Sequence, residues 1–222
     1  MSNRNLILSR LGLEVGLTYE AIVTTISAAG DYNAAPMGIR REDDTSVIIS
    51  PFKTSTTYRN LVVTGEAVAN FTDEPYLFLA TAFKEDKPLD PQIFSYSKTV
   101  KAPRLTTAES FLELRVVEVK ESEDRAAIRC YPLFSEVQHI RLKPYCRGRY
   151  AALEAIIHAT RIKILLENRQ LEEATPLIQL VQTYRSLVHK VADCSSYSSV
   201  IDKIDEMIQR WQETELLRRG NK

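Results

Sequence analysis

The sequence contains few cysteines, and their spacing argues against two classes of protein. Among its 222 residues there are three cysteines, Cys130, Cys146 and Cys194, which are widely spaced and form no CxxC motif. An odd number of cysteines at this spacing favours neither a disulfide framework nor a zinc site. We therefore expect reduced thiols, as in a cytoplasmic protein.

Long apolar runs and an excess of charge are missing as well. No stretch approaches the ~18 uninterrupted apolar residues of a membrane span, and the apolar run near the N-terminus is too short for a signal peptide. Lysine plus arginine equals aspartate plus glutamate at 29 each, so no net charge favours nucleic acid or an acidic membrane surface. We expect a soluble protein that binds neither a membrane nor nucleic acid.

The common catalytic and nucleotide-binding motifs are also absent. The sequence has no G-x-S-x-G, no G-x-G-x-x-G and no G-x-x-x-x-G-K, and its His, Cys and Asp residues do not have the spacing of a metal site. No local pattern marks Cys130 or Cys146 as a nucleophile. We therefore predict no metal and no catalytic residue.

The apolar residues before Tyr150 come mostly in short alternating runs, which predict an antiparallel β domain. Two runs, Leu112–Lys120 and Arg125–Tyr131, flank a charged tip and predict a hairpin. The segment from Lys84 to Arg104 contains three prolines, which disfavour a regular strand. We expect a long surface excursion there, with or without a short helix.

After Tyr150 the apolar residues recur with the period of a helix, and three amphipathic helices are predicted. The second is expected to begin with Thr175 as its cap and Pro176 at its first position, and the third after Ser195 or Ser196. The apolar face of the first helix is expected to comprise Leu153, Ile156, Ile157, Thr160 and Ile164.

The segment from Tyr19 to Arg40 predicts a β-hairpin, because apolar and polar residues alternate, stop at Ala29-Gly30-Asp31 and resume afterwards. Small residues would let a flat ring approach the main chain, and proline fixes the chain locally. Small residues in a tightly packed strand are the alternative interpretation. The residues concerned are Asn33, Ala34, Ala35, Pro36, Met37 and Gly38.

A cluster of hydroxyl side chains lies between Lys53 and Arg59, in what the sequence predicts as a polar loop. Hydroxyl donors beside a positive charge suit a phosphate group, and either Lys53 or Arg59 could supply that charge. A solvated turn is the alternative, since such turns are often rich in serine and threonine. The candidate phosphate ligands are Lys53, Thr54, Ser55, Thr56 and Thr57, with Asn60 as a ligand of the loop or of the flavin.

These motifs resemble those of the FMN-binding split-barrel superfamily, which includes flavin reductases and pyridoxamine-phosphate oxidases. The resemblance rests on N-A-A-P-M-G at residues 33–38, S-P-x-K-T-S-T-T-x-x-N-L at residues 50–61 and G-E-A-V-A-N at residues 65–70. With YAALEAIIHATRIK opening the helical third, the whole chain is similar to a largely uncharacterised, mainly archaeal family of flavin-binding split-barrel proteins with an appended helical region.

The resemblance implies an α+β fold, with an antiparallel split β-barrel over residues 1–149 and a three-helix region over residues 150–222. It implies that FMN, or a related flavin such as a deazaflavin, places its ring beside Asn33–Gly38 and its phosphate at Lys53–Asn60. Split-barrel flavoproteins usually form two-fold dimers with the flavin at the subunit contact, so we expect a homodimer. Replacing the hydroxyls at 56 and 57 by alanine is expected to weaken FMN binding and to leave folding nearly intact.

Two arginines of the helical region are further candidates for cofactor binding. Arg147, just before the first helix, could meet a phosphate or an anionic substrate. Arg161 shares a helical stripe with Glu154 and His158, at spacings i, i+4 and i+7. That stripe could reach the flavin or a substrate acid, or it could be an intrahelical ladder of ion pairs.

Two functions fit these expectations. The first is an FMN-dependent oxidoreductase, in which the flavin transfers hydride or electrons between a donor and a small-molecule substrate that the sequence does not identify. The second is a carrier or regulatory module that binds FMN without turnover, because one fold can serve both roles.

Overall fold

The computed structural model describes residues 3–84, 88–137 and 146–220. The chain forms two compact units, a barrel unit (Met1–Thr72 with Pro88–Leu142) and a helical unit (Asp73–Lys87 with Lys143–Lys222). In chain order the elements are α1 (Asn3–Arg10), β1 (Thr18–Ile26), β2 (Tyr32–Arg41), β3 (Val47–Ile49), α2 (Thr56–Thr64), β4 (Glu66–Phe71), α3 (Pro75–Ala82), a 3-10 turn (Pro91–Ile93), β5 (Phe94–Ser95), β6 (Arg104–Leu105), β7 (Ser110–Glu121), β8 (Ala126–Val137), α4 (Arg147–Glu167), α5 (Leu171–Ala192) and α6 (Ser196–Gly220).

Six antiparallel strands close into a barrel in the order β1-β2-β3-β8-β7-β4, with β4 pairing back to β1. The inward side chains form a dry core that includes Val23, Ile39, Ile49, Leu112 and Ile128, all without exposed surface. Burial of such aliphatic side chains is the main favourable contribution to folding. The predicted fold class, an antiparallel β-barrel followed by a three-helix region, is confirmed.

Both predicted hairpins are present in the barrel. In the β1–β2 hairpin, Thr25 lies opposite Asn33, and Gly30 in the turn has a φ of +96°, which favours glycine. The β7–β8 hairpin has its turn at the predicted charged tip. Each hairpin joins two antiparallel neighbours through a short turn.

Strand β2 pairs with β1 along its whole length but with β3 only over Ile39–Arg41. In the described part of the chain, no strand pairs with the other edge of β2 over Ala35–Gly38. The barrel is therefore split beside this segment, and an unpaired strand edge is a surface to which another group can hydrogen bond.

Helix α2 begins within the segment for which the sequence predicted a polar loop, Lys53–Asn60, so that prediction is wrong from Thr56 onward. Its sequence T-T-Y-R-N-L-V-V-T is rich in β-branched residues, which favour strands. Two local signals nevertheless define a helix: the Ser55 side chain accepts a hydrogen bond from the Tyr58 amide, and Gly65 ends the helix at a φ of +69°. Leu61 then packs into the barrel core.

The excursion after residue 84 agrees with the prediction, since its described part contains a 3-10 turn and the short ribbon β5–β6. Buried side chains of the barrel hold it in place. The Glu113 carboxylate, which has no exposed surface, accepts hydrogen bonds from the amides of Lys98 (2.7 Å) and Thr99 (2.6 Å). The Leu105 amide donates to the Asn70 side chain at 2.7 Å.

The helical unit consists of α3 to α6, and α6 begins at Ser196 as predicted, with Ser195 capping it. Helix α5 begins at Leu171 with Gln170 as its cap, so the predicted start at Thr175-Pro176 is wrong by five residues. Pro176 is the sixth residue of the helix, beyond the first turn, and it therefore costs one helical hydrogen bond, to the Glu172 carbonyl.

The predicted apolar face of α4 is also wrong in part, because Ile164 is 46% exposed and the buried face is rich in alanine. Small residues permit close packing: a Cβ atom on Gly148 would lie 2.6 Å from the Cβ of Ala192 in α5. Among the residues that the structure describes, no helix has both the length and the apolar character to cross a membrane.

Candidate flavin site in the barrel unit

The N-terminus of α2 presents polar groups to one side of the barrel. The Ser55 hydroxyl donates to the Phe52 carbonyl at 2.7 Å and accepts from the Tyr58 amide at 3.1 Å, which fixes the first turn. The main-chain amides of Thr56 and Thr57 precede the first helical hydrogen bonds and have no partner inside the helix. Together with the positive end of the helix dipole, such amides suit an anion.

The predicted ligands at Lys53–Asn60 therefore divide between a turn and a helix. Thr54 is exposed in the turn, whereas Thr57 and Asn60 face inward on α2 and are 1% and 6% exposed. The expectation that the hydroxyls at 56 and 57 are both exposed is wrong for Thr57. Thr57 and Asn60 are three positions apart, a spacing that places both side chains on one face of a helix. Both therefore point into the protein.

The two candidate cations differ in their surroundings. The Lys53 ammonium lies 3.3 Å from a Glu121 carboxylate oxygen and donates to the Ser122 carbonyl at 3.2 Å. The Arg59 guanidinium instead donates to the Thr56 hydroxyl at 3.0 Å and forms no ion pair with any described carboxylate. The Lys53 charge is thus offset by Glu121, while the Arg59 charge at the end of α2 is not.

Glu121 is held ionised by its neighbours. The Tyr58 hydroxyl donates to it at 2.6 Å, and this hydrogen bond, followed by that from Lys53, lowers the pKa of the Glu121 carboxyl. The same hydrogen bond raises the pKa of the Tyr58 hydroxyl. Near neutral pH, the pair therefore consists of a carboxylate and a neutral phenol, and neither is prepared to exchange a proton.

A buried polar cluster joins α2 to the β1–β2 hairpin. The Asn33 side-chain amide donates to the hydroxyls of Thr57 (3.1 Å) and Thr25 (3.2 Å), and the Asn60 amide donates to Thr25 at 3.0 Å. Thr25 has no exposed surface, and the others are at most 6% exposed. We call these four residues the Thr25 cluster. It brings together Asn33, Thr57 and Asn60, which the sequence proposed as ligands in two separate segments.

The last four residues of the predicted ring segment, Ala35–Gly38, lie on the edge of β2 that no described strand pairs with. Ala34 is buried and 35–38 are partly buried, and the segment follows directly from Asn33. A Cβ atom on Gly38 would come within 2.9 Å of the Thr18 methyl group, so the absence of a side chain matters there. A main-chain edge with small side chains is a suitable surface for the polar rim of a flat ring. Within β2 these residues are Ala34, Ala35, Pro36, Met37 and Gly38.

Thr25 is a residue that the sequence left open. Thr24 and Thr25 point to opposite faces of β1, so at most one of them can point to this site, and the structure gives each a different role. Thr24 donates to the Val68 carbonyl at 3.2 Å and also hydrogen bonds the Pro103 carbonyl, whereas Thr25 joins Asn33 and Asn60. The hairpin register, which places Thr25 opposite Asn33, was the available signal.

The structure places Arg147 and Arg161 in the helical unit, exposed on α4. They are 14 residues apart, which is about 21 Å along a helix, so the two side chains cannot both hold one phosphate group. Their neighbour Arg149 is engaged within the unit, 2.7 Å from Asp73 and 3.2 Å from the Tyr197 hydroxyl.

On the helical stripe of Glu154, His158 and Arg161, the histidine makes contacts within the helical unit. The His158 ring stacks on Tyr184 of α5 with centroids 6.0 Å apart, and its Nε2 lies 3.9 Å from Glu154. Burial, and then the charge of Arg161, lowers the pKa of the His158 imidazole. The neutral ring packs between two helices, which favours the structural interpretation of the stripe over a catalytic one.

Other reactive groups give no sign of chemistry. Burial raises the pKa of the Cys130 thiol to about 12, so it is protonated and unreactive. The three cysteines are not bonded to one another. Within residues 3–84, 88–137 and 146–220, no group of three or more His, Cys, Asp or Glu side chains could hold a metal ion.

Comparisons with known proteins agree with this architecture. A family model described as "Protein of unknown function (DUF447) N-terminal domain" matches residues 19–139. The crystal structure of an FMN-bound DUF447 protein from Methanosarcina mazei is 26% identical, covers 90% of this chain and 98% of its own, and superposes with a TM-score of 0.75.

Two further solved structures match a smaller share of the chain, with lower TM-scores. The flavin reductase of styrene monooxygenase from Pseudomonas putida S12 is 15% identical over 58% of this chain and 92% of its own, with a TM-score of 0.47. An FMN-binding protein from Thermus thermophilus is 17% identical over 53% and 70%, with a TM-score of 0.46.

Proposed function

This chain belongs to the DUF447 family, and we propose that it is a flavoprotein that binds FMN through its barrel unit. The observation that carries the proposal is the Thr25 cluster, which joins the unpaired edge of β2 to the N-terminus of α2. A flat polar edge and an anion-binding helix end are the two surfaces that FMN requires. The FMN-bound family member from Methanosarcina mazei supports the same ligand.

The phosphate end of the proposed site is formed by α2. The amides of Thr56 and Thr57 would donate to phosphate oxygens, and the exposed hydroxyl of Thr54 lies in the preceding turn. Arg59 supplies the compensating charge, because Lys53 is already paired with Glu121. Thus the structure favours Arg59 of the two cations that the sequence left open.

The ring end of the proposed site is the edge of β2 from Ala35 to Gly38. Main-chain groups on this edge would address the polar rim of the isoalloxazine, and Pro36 keeps the segment rigid. Bound FMN would supply hydride or electron transfer. The residues of the chain bind, orient and exclude water, since none of those described at the site is set up as an acid, base or nucleophile.

Whether the protein turns over is the finer part of the proposal. We favour an FMN-dependent oxidoreductase over a carrier or regulatory module, because the flavin itself carries hydride or electron transfer and the reaction needs no acid, base or nucleophile from the chain. The three unbonded cysteines are compatible with a cytoplasmic location, which is part of the proposal. A homodimer with flavin at the subunit contact is likewise proposed from the family resemblance.

Flavin binding is tested by titrating FMN into the purified protein and following the quenching of flavin fluorescence, with riboflavin as the matched ligand lacking the phosphate. We expect saturable binding of FMN and weaker binding of riboflavin, because the helix end contributes only to FMN. Absence of quenching by either flavin at micromolar protein would overturn the proposal. Mass analysis of any ligand released from the purified protein separates FMN from a deazaflavin.

Turnover and assembly need separate measurements. Anaerobic bleaching of bound FMN by a reduced nicotinamide or a reduced deazaflavin, followed by several rounds of reoxidation, is expected for an oxidoreductase. Stable colour with every donor would favour the carrier instead. Light scattering after size exclusion is expected to give twice the 25.3 kDa of one chain, and a monomer would contradict the dimer.

A further inference from the structure

The Thr25 cluster contains one residue that cannot be a ligand. Thr25 has no exposed surface, yet its hydroxyl oxygen accepts hydrogen bonds from Asn33 of β2 and from Asn60 of α2. It lies on β1, opposite Asn33 in the hairpin register. One buried hydroxyl therefore connects the strand of the ring end with the helix of the phosphate end.

We infer that Thr25 is a positioning residue that sets the distance and angle between α2 and β2, and that it thereby makes the site selective for a phosphorylated flavin. The inference rests on the proposed FMN function. It assigns phosphate selectivity not only to the groups that touch the phosphate but also to the hydrogen bonds that hold their helix in place.

Directional bonds are needed because apolar packing does not fix a helix end. Leu61 anchors α2 in the barrel core, but apolar contacts are non-directional and permit small rotations and shifts. Hydrogen bonds lose strength steeply with a wrong angle, and a buried group without its partner is costly. The bond from the Asn60 amide to Thr25 and the bond from the Asn33 amide to Thr57 therefore restrict α2 to one orientation.

Asn33 connects the two ends of the proposed site. Its amide donates to Thr25 at 3.2 Å and to Thr57 at 3.1 Å, so the first turn of α2 and the start of the ring segment share one side chain. FMN must contact both ends at once. A displaced helix would still leave the ring edge intact, so the loss should fall on the phosphate.

Replacing the hydroxyl alone tests this role. The test variant Thr25→Val keeps the shape of the side chain and removes both hydrogen bonds. The control Thr25→Ser keeps the hydroxyl group. A second control, Thr18→Val, makes the same exchange at an exposed position of β1. Each variant is titrated with FMN and with riboflavin, and its folding is checked by thermal unfolding. We expect the ratio of the riboflavin Kd to the FMN Kd to fall about tenfold in Thr25→Val.

In Thr25→Val the riboflavin Kd should change little, Thr25→Ser should recover most of the ratio, and Thr18→Val should keep the wild-type ratio. A folded Thr25→Val protein with the wild-type ratio would overturn the inference, as would an equal weakening of both flavins, which indicates a general structural role. If Thr25→Val does not fold, Asn60→Ala removes one of the two hydrogen bonds instead. An unchanged ratio of the riboflavin Kd to the FMN Kd in Asn60→Ala would also overturn the inference. A wild-type protein that binds neither flavin refutes the proposed function itself.

Discussion

The barrel unit and the helical unit use polar side chains in different ways. In the barrel unit, uncharged side chains such as Thr25, Asn33 and Asn60 are buried and bonded to one another. In the helical unit, charged side chains of α5 and α6 form partly exposed ion pairs, as between His189 and Asp202. Buried hydrogen bonds fix geometry, whereas exposed ion pairs contribute little. The difference supports the proposal that the barrel unit holds the ligand.

The largest effect should come from Glu113, the buried carboxylate of the barrel unit. Glu113→Ala leaves the amides of Lys98 and Thr99 without their acceptor, and we expect a loss of about 3 kcal/mol in the free energy of unfolding. Urea unfolding followed by circular dichroism measures it. The control Glu118→Ala removes a half-exposed partner of Arg129 and should cost less than about 1 kcal/mol. Equal losses would contradict the greater contribution of buried hydrogen bonds over exposed ion pairs.

The next effect compares close packing in the two units. Gly148→Ala puts a methyl group against the Cβ of Ala192, where helices meet and neither side can give way easily, and should cost about 2 kcal/mol. Gly38→Ala meets only the methyl group of the exposed Thr18 side chain, which can move. Thermal unfolding of both variants should rank Gly148→Ala as the less stable. The opposite order would mean that the strand edge is the more rigid.

A third effect separates the two cations of the proposed phosphate end. Arg59→Gln removes the charge that has no carboxylate partner and should weaken FMN binding about tenfold, with little change for riboflavin. Lys53→Gln removes a charge already offset by Glu121, and the effect should be several times smaller. Fluorescence titration at constant ionic strength measures both. A greater loss in Lys53→Gln would assign the phosphate to the other cation.

The smallest effect is expected from the ionic contacts of the helical unit. Hydrogen bonds to Asp193, and then to Asp202, raise the pKa of the His189 imidazole. Its contribution to stability is thus fully present below the unfolded pKa of about 6.5 and is lost as pH rises through the higher folded value. At partial exposure it should stay under about 1 kcal/mol.

The free energy of unfolding, measured from pH 5.5 to 8.5, checks the direction of this effect. His189→Gln should reduce the loss of stability with rising pH. His158 provides a control of opposite sign, because burial lowers the pKa of its imidazole in the folded protein. Its contribution is present above the unfolded pKa and is lost as pH falls, so His158→Gln should remove a rise of stability with pH. Identical pH profiles for both variants would contradict these assignments.

Much of the barrel could be predicted from the sequence because its signals are local. Alternation and Gly30 define the β1–β2 hairpin, and the charged tip defines β7–β8. Helix α2 could not be recognised in the same way, because its valines and threonines favour strands and its stability comes from Leu61 in the core and from its caps.

The family resemblance predicted two segments that share one flavin, but not the side-chain contacts that join them. The sequence pointed to Asn33, Thr57 and Asn60 individually, yet their contact through Thr25 depends on how α2 docks against the hairpin. Long-range docking leaves no periodic trace in a sequence. The pairing of Lys53 with Glu121 is likewise a tertiary contact between residues distant in the chain, which is why the choice of cation needed the structure.

The most direct test of the central claim is a crystal structure of the protein with FMN. We expect the phosphate at the amides of Thr56 and Thr57 with Arg59 beside it, and the edge of the isoalloxazine along Ala35–Gly38. FMN bound with its phosphate away from the N-terminus of α2, or with its ring away from β2, would contradict the claim.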